Sequence, residues 1–469
     1  MAQNFLACDR EQPFLLPPDV REWLPEDHLA WFVIDAVGVM DTSRFYAAYR
    51  EDGHGRAAYE PSMMVALLLY CWARGVRSSR AIERACLEDV ACRVIAAHQR
   101  PDHATIARFI ERHERALGEL FGEVLGLCAD AGLATVGVIA IDGTKVAANA
   151  NRDRTMTYEQ IARTIVEEAV QTDAGETAAF GERRGDELPA ILTTREGREG
   201  WLRAARQALE QRRAERSEPV PRSRPRRLLT AKHRLDEELA VERDANHQYE
   251  AYRRRGVMKD GRRFGRPPNP RTPPTAPGGK VNLTDPDSRL VHGMRGWIQG
   301  YNAQAACNEQ HLIVAAEVMT ASPDFGHLGP MLAAARAELA TAGVTKPPEV
   351  VVADAGYWHL GQMNEITGQG IPVLIPPDSS RRKNTKTTRP GWNGGAYDFM
   401  RAALATDHGS ELYKRRAQLI EPIFGTTKHN RGFTRFARRG RSAARTEWRL
   451  MATTHNLRKL HQHFTAPDN

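Results

Sequence analysis

With 469 residues, of which 41% are apolar, 26% charged and 7% aromatic, the chain has the make-up of a globular protein of several domains and is too long for a lone small module. No run approaches the roughly 20 apolar residues of a membrane-spanning helix and MAQNFLACDREQ has no basic-then-apolar leader, so a cytoplasmic protein is expected, neither secreted nor membrane-bound. The net charge of +8 is uneven: residues 203–271 hold 20 Lys/Arg against 10 Asp/Glu and residues 414–459 hold 13 against 2, as expected of segments lying along a phosphate backbone, although solvated helical faces would read the same way.

The N-terminal third is expected to be all helical. PSMMVALLLYCWARG and SSRAIERACLEDVACRVIAAH carry apolar helical stripes, with Pro61, Ser62 and Ser79 suited to first-turn or cap positions. Asp102 can cap a further helix whose apolar positions Ile106, Phe109, Ile110, Leu117, Leu120, Phe121 and Leu125 follow i, i+3, i+4 spacing, and Gly132 closes it. The helices around HQRPDHAT have the length and turn of a helix-turn-helix, which fits DNA contact as well as packing or dimerisation. Six cysteines lie scattered without a CxxC pair, so neither a disulfide framework nor a zinc site is indicated.

At residue 136 the period changes. VGVIAID is a short apolar run rich in β-branched residues and reads as a buried strand, as do residues 300–307, 311–319, 349–354 and 371–376. The second and third should form a hairpin through Asn308 and Glu309, and helical patterns separate the others. The fold class that follows is α/β, a mixed sheet flanked by helices. Between the first strand and the hairpin lies an insertion of about 130 residues, helical at its start (YEQIARTIVEEAVQ) and middle (LTAKHRLDEELAVERDANHQYEAYRRRG), ending in the Pro/Gly/Arg-rich GRRFGRPPNPRTPPTAPGG.

Asp142 stands at the end of VIAID and Asp354 at the end of VVVAD, with Gly143 and Gly356 close behind. Carboxylates at the ends of buried strands can project into the crevice where α/β sheets place ligands, and two of them favour a hard divalent cation such as Mg²⁺ over ordinary turn aspartates. A third acid should come from elsewhere. Glu421 is the candidate, being the one acid between Tyr413 and Glu447 in a stretch dense with Lys and Arg.

DGT, DAGYW and the set Tyr413, Arg416, Glu421 and Lys428 resemble the signature of bacterial insertion-sequence transposases of the DDE class, in the branch marked by a tyrosine-arginine-glutamate-lysine motif. YEPSMMVALLLYCWARG, PDHATIARF, NLTDPDSRLV, GYNAQAA and FMRAALATDHGSELYKRR extend the resemblance over most of the chain. It implies a ribonuclease-H-like core in which Asp142, Asp354 and Glu421 hold Mg²⁺, with Mn²⁺ able to substitute. The implied reaction cleaves phosphodiesters at the ends of an insertion sequence and joins the 3′ ends to target DNA. Tyr413, Arg416 and Lys428, with Arg254 and Arg263 of the insertion, are then expected to contact DNA, and Trp358 and Trp392 either stack on an unpaired base or anchor the core.

The expected layout is a helical N-terminal domain (1–135), the first part of the core (136–152), the basic insertion (153–279), the rest of the core (280–440) and a C-terminal helical segment (441–469). The expected partner is double-stranded DNA, bound by a homodimer in a nucleoid-associated complex. A metal-dependent nuclease without strand transfer and a transposase-derived DNA-binding protein are the alternatives. One departure stands out, since Arg416 precedes Glu421 by five residues where the family pattern has four, about 140° off the same helical face. Pro422 could kink the helix there or open a new one.

Overall fold

The computed structural model describes residues 20–49, 58–171, 198–216, 220–221, 223–256, 275–293, 296–321, 323–378 and 394–466. Helices come first: α1 (Leu29–Val39), α2 (Ser43–Tyr46), α3 (Pro61–Ala73), α4 (Ser79–Glu88), α5 (Val90–Ile95), α6 (His103–Arg112) and α7 (Glu114–Asp130). α3 is apolar on every side and buries 11 of its 13 residues, as a helix without a polar face must. Glu60 starts it by accepting from Met63 N at 2.6 Å, with Pro61 in the first turn.

Asp89 divides the stretch from Ser79 to Ile95 into two helices. Its extended backbone ends α4, and its carboxylate accepts from Cys92 N at 3.0 Å to open α5. Asp102 caps α6 by accepting from Thr105 N, and Gly132 closes α7 with φ +74°. α5 and α6 turn Ile95, Ile106 and Phe109 into the main core, leaving Arg108 and Arg112 outside.

The sheet contains β1 (Val138–Ala147), β4 (Arg289–Gly293), β5 (Gly296–Cys307), β6 (Ile313–Met319), β7 (Val350–Ala353) and β8 (Val373–Leu374). β5 pairs antiparallel with β1 on one side and with both β4 and β6 on the other, while β7 and β8 continue from β1 in parallel. The sheet is therefore mixed, and every strand expected from the sequence is present. β1 itself differs from expectation. It runs five residues past Asp142, because β5 offers backbone partners from Ala140↔Cys307 to Ala147↔Gly300. The polar residues of GTKVA are carried by that pairing, which a reading of apolar runs does not register.

The remaining helices are α11 (Leu328–Thr341), α12 (Leu360–Gly368), α13 (Gly395–Ala405), α14 (Asp407–Gly425) and α15 (Arg441–Thr465). α15 is a core element and not a surface one, with 15 of its 25 residues buried. Its Asn456 accepts from Ile313 N at 2.9 Å and donates to Ile313 O at 2.8 Å, completing the backbone of β6. Trp448 Nε1 donates to Gln304 O of β5 at 2.7 Å.

Between β1 and β4 come β2 (Thr155–Thr157), α8 (Tyr158–Gln171), α9 (Arg198–Arg216), α10 (Arg224–Arg254) and β3 (Lys280–Asn282), with β2 and β3 antiparallel. Ile161, Leu228, Ala231, Leu235, Val281 and Leu283 make a small second core here. Ion pairs tie this part to the sheet: Arg289 reaches Glu210 at 3.2 Å and Glu238 at 3.0 Å, and Arg234 pairs with Asp287. Glu210 also accepts from Thr320 Oγ1 at 2.6 Å. α9 was not among the expected elements, since its charged surface masks the few positions, such as Ala205 and Leu209, that it buries.

Candidate active site

Asp142 and Asp354 are brought together by strand register. β1 and β7 are parallel, with Ile141 opposite Ala353, so the two aspartates are the next residues on neighbouring strands. Asp354 leaves β7 in an extended conformation and accepts from Gly356 N at 2.8 Å, which starts a single 3-10 turn, Ala355–Tyr357. Asp142 accepts from its neighbour Gly143 N at 2.7 Å and, through Oδ2, from Arg416 Nη1 at 2.9 Å. Burial, reinforced by the negative charge of Asp354, pushes the Asp142 carboxyl up to about 6 even though Arg416 pulls it down.

Glu421 reaches the same guanidinium, 3.6 Å from Arg416 Nη2, with its side chain 63% exposed. The five-residue spacing is thus accommodated without a break, because Arg416 points to β1 and spans between Asp142 and Glu421. Pro422 lies inside α14 and neither ends nor restarts it; the helix runs to Gly425 and widens into a π turn, Thr426–Asn430. Burial works against the charge of Arg416, but Asp142, Tyr413, Asp354 and Glu421 outweigh it and hold its pKa above the ordinary value.

Gly143 sits inside β1, not in a turn after it. A Cβ there would lie 2.2 Å from Gln304 Nε2 and 2.7 Å from Asp324 Oδ1, so only glycine lets those side chains close over the strand. Asp324, in the loop after β6, is an acid that the sequence reading missed. Its Oδ1 accepts from Asn302 and Gln304 at 2.8 Å and from Lys145 at 3.2 Å, and its charge contributes to raising Asp142. Nothing in ASPDFGH marks it locally, for only the hairpin packing carries it beside β1.

Tyr413 is half-buried with the Arg416 guanidinium 5.9 Å from its ring centre, and burial raises its phenol. Lys428, in the π turn, donates to Lys145 O at 3.0 Å, and burial together with Lys145 lowers its ammonium. Both belong to the protein's own packing around β1. Trp358 is buried and stacks on Tyr397 at 5.1 Å, in line with core anchoring, whereas Trp392 lies outside the described residues. Arg254 is exposed in the last turn of α10, and Arg263 lies outside the described residues. Among the described residues no three His, Cys, Asp or Glu side chains form a ready cation cage: two aspartates stand side by side and the glutamate joins them through Arg416.

A transposase domain model (DUF772) matches residues 18–112, covering α1 to α6, and a transposase DDE domain model matches residues 378–461, covering α13, α14 and most of α15. The second match includes Tyr413, Arg416, Glu421 and Lys428, while Asp142 and Asp354 fall between the two. No curated protein and no solved structure matches the chain. The chain thus carries a transposase domain at one end and a transposase DDE domain at the other, the two matches that support an insertion-sequence transposase of the DDE class, and the aspartates between them in sequence are held against Arg416 and Glu421 of the second domain.

Proposed function

We propose that the chain binds the ends of an insertion sequence, cleaves phosphodiester bonds with a divalent cation and joins the 3′ ends to target DNA as a homodimer. Asp142, Asp354 and Glu421 would hold the cation, Mg²⁺ or Mn²⁺. The carrying observation is that Asp142, within β1, and Asp354, just past β7, stand side by side on adjacent parallel strands, with Arg416 linking Asp142 to Glu421. A mixed sheet with one acid on its central strand and the next on the neighbouring parallel strand supports the ribonuclease-H-like reading of the core.

The donor set fits a hard dication. Its groups are carboxylate oxygens, and burial, reinforced by the neighbouring charge of Asp354, raises Asp142, a penalty that a divalent cation relieves better than one guanidinium. When bound, such a cation supplies Lewis-acid stabilisation of the entering and leaving oxygens of an in-line displacement. The chain's own residues prepare for it. Arg416 holds Asp142 in place and keeps Glu421 within reach, Gly143 lets Asp324 and Gln304 close behind β1, and Lys428 fixes the π turn to Lys145 O.

Alanine at Asp142, Asp354 or Glu421 should abolish cleavage of a duplex carrying the element's end while leaving its binding intact, since the acids supply metal and not phosphate contacts. Near wild-type cleavage by any of the three variants removes that residue from the site. Joined products in the presence of target DNA separate strand transfer from simple nuclease action, and Mg²⁺ or Mn²⁺ should support cleavage where Ca²⁺ supports binding alone.

A further inference from the structure

Beyond the acids, β1 runs on to a groove of about 710 Å³ at the base of the insertion. Six arginines line it: Arg152 and Arg154 after β1, Arg224 and Arg227 at the start of α10, and Arg435 and Arg439 before α15. No Asp or Glu is among its lining residues. Elsewhere in the C-terminal stretch Arg415 pairs with Glu309, Arg438 with Glu114, Arg445 with Glu317 and Arg449 with Glu338.

The groove is held in shape. Thr434 O accepts from Ala147 N at 3.1 Å and Ala147 O accepts from Phe436 N at 2.9 Å, which adds the loop to the end of β1. The buried Glu447 accepts from Ala437 N and Arg438 N, so the turn that presents Arg435 and Arg439 is fixed from behind. The positive end of the 31-residue α10 faces the same space, and the Nε of Arg227 is buried there without a hydrogen bond among the described residues.

We infer that this groove takes the phosphodiester backbone of duplex DNA about five base pairs from the phosphate cleaved at Asp142. The assignment rests on the reading of the acids given above. Ala147, in the groove wall, lies five residues past Asp142 on one strand, which is about 17 Å at roughly 3.3 Å per residue and matches about five base-pair steps of roughly 3.4 Å. Fork-shaped guanidinium groups from three separate segments suit successive phosphates, which small anions could not all engage.

The test uses the full chain and a duplex carrying the inverted repeat that flanks the gene. Arg152→Gln with Arg435→Gln, two exposed side chains from different segments, should flatten the slope of log affinity against log salt by up to about 1.8, or roughly 0.9 per lost contact. Single methylphosphonates placed about five base pairs from the cleaved phosphate should weaken binding to the wild type and leave binding to the double variant unchanged. An unchanged salt slope, an equal methylphosphonate effect on both proteins, or a loss confined to RNA would each overturn the assignment. Asp354→Ala is run alongside. If it still cleaves, the reading of the acids fails while the salt slope still reports on the groove; if it is dead and the double variant binds like wild type, the groove assignment fails alone.

Discussion

The middle and the end of β1, at Asp142 and at Ala147, place arginine in opposite surroundings. At Asp142 and through the C-terminal stretch, arginines answer acids: Arg416 sits between Asp142 and Glu421, and Arg449, with a side chain only 6% exposed, between Glu317 and Glu338. At Ala147 six arginines share a groove that no acid lines. The density of 13 Lys/Arg against 2 Asp/Glu over residues 414–459 is therefore a poor guide to where DNA would lie, because several of its cations are matched by acids far away in the sequence. Arg445 and Arg449 of α15 are met by acids, whereas no acid lines the wall around Ala147.

The largest effect that this contrast predicts is on stability. Arg449→Ala leaves the Glu338 carboxylate without its buried cation and Glu317 with Arg445 alone, and should cost about 3–5 kcal/mol in urea denaturation. Arg435→Gln, in the groove, should leave the same curve unmoved. Equal costs would erase the distinction between the paired and the groove arginines.

Arg416→Ala comes next. Losing the guanidinium removes the main influence that lowers the Asp142 carboxyl, so its titration should move further above about 6 and the acid limb of the cleavage-versus-pH profile should shift to higher pH. An unshifted limb would detach Arg416 from Asp142.

A smaller effect separates Asp142 from its surroundings. The folded protein binds a proton at Asp142 more tightly than the unfolded chain does. Without divalent cation, wild-type stability should therefore fall as pH rises from the ordinary carboxylate range through about 6, then level off, relative to Asp142→Asn. Parallel stability curves for the two proteins over that window would show that Asp142 is not held in a charge-disfavouring site. The smallest effect is expected at Lys346, whose pair with Glu349 is 68% and 65% exposed, and Lys346→Ala should leave the melting temperature within measurement error.

How much could be read in advance follows the range of the interactions. Apolar periodicity and β-branched runs are local, so α3, α6, α7, the hairpin of β5 and β6, and β7 were all legible, as were Asp102 as a cap and Gly132 as a stop. Asp142, Asp354 and Glu421 stood out for their company: two acids followed by glycine at the ends of apolar runs, and one acid alone among cations. The family resemblance rested on the same residues.

The sequence by itself determined the helical N-terminal part and the mixed sheet, and it singled out the candidate acids, because these depend on residue type and short spacing. Only the tertiary structure decided where the charges are neutralised and which acids are neighbours. β1 extends through GTKVA because β5 pairs with it, Asp324 arrives beside Gly143 on a loop some 180 residues away, and Arg416 bridges five helical positions because its partner is on a strand 274 residues upstream. Those pairings are set by packing between distant segments, and the net charge of a stretch carries no record of them.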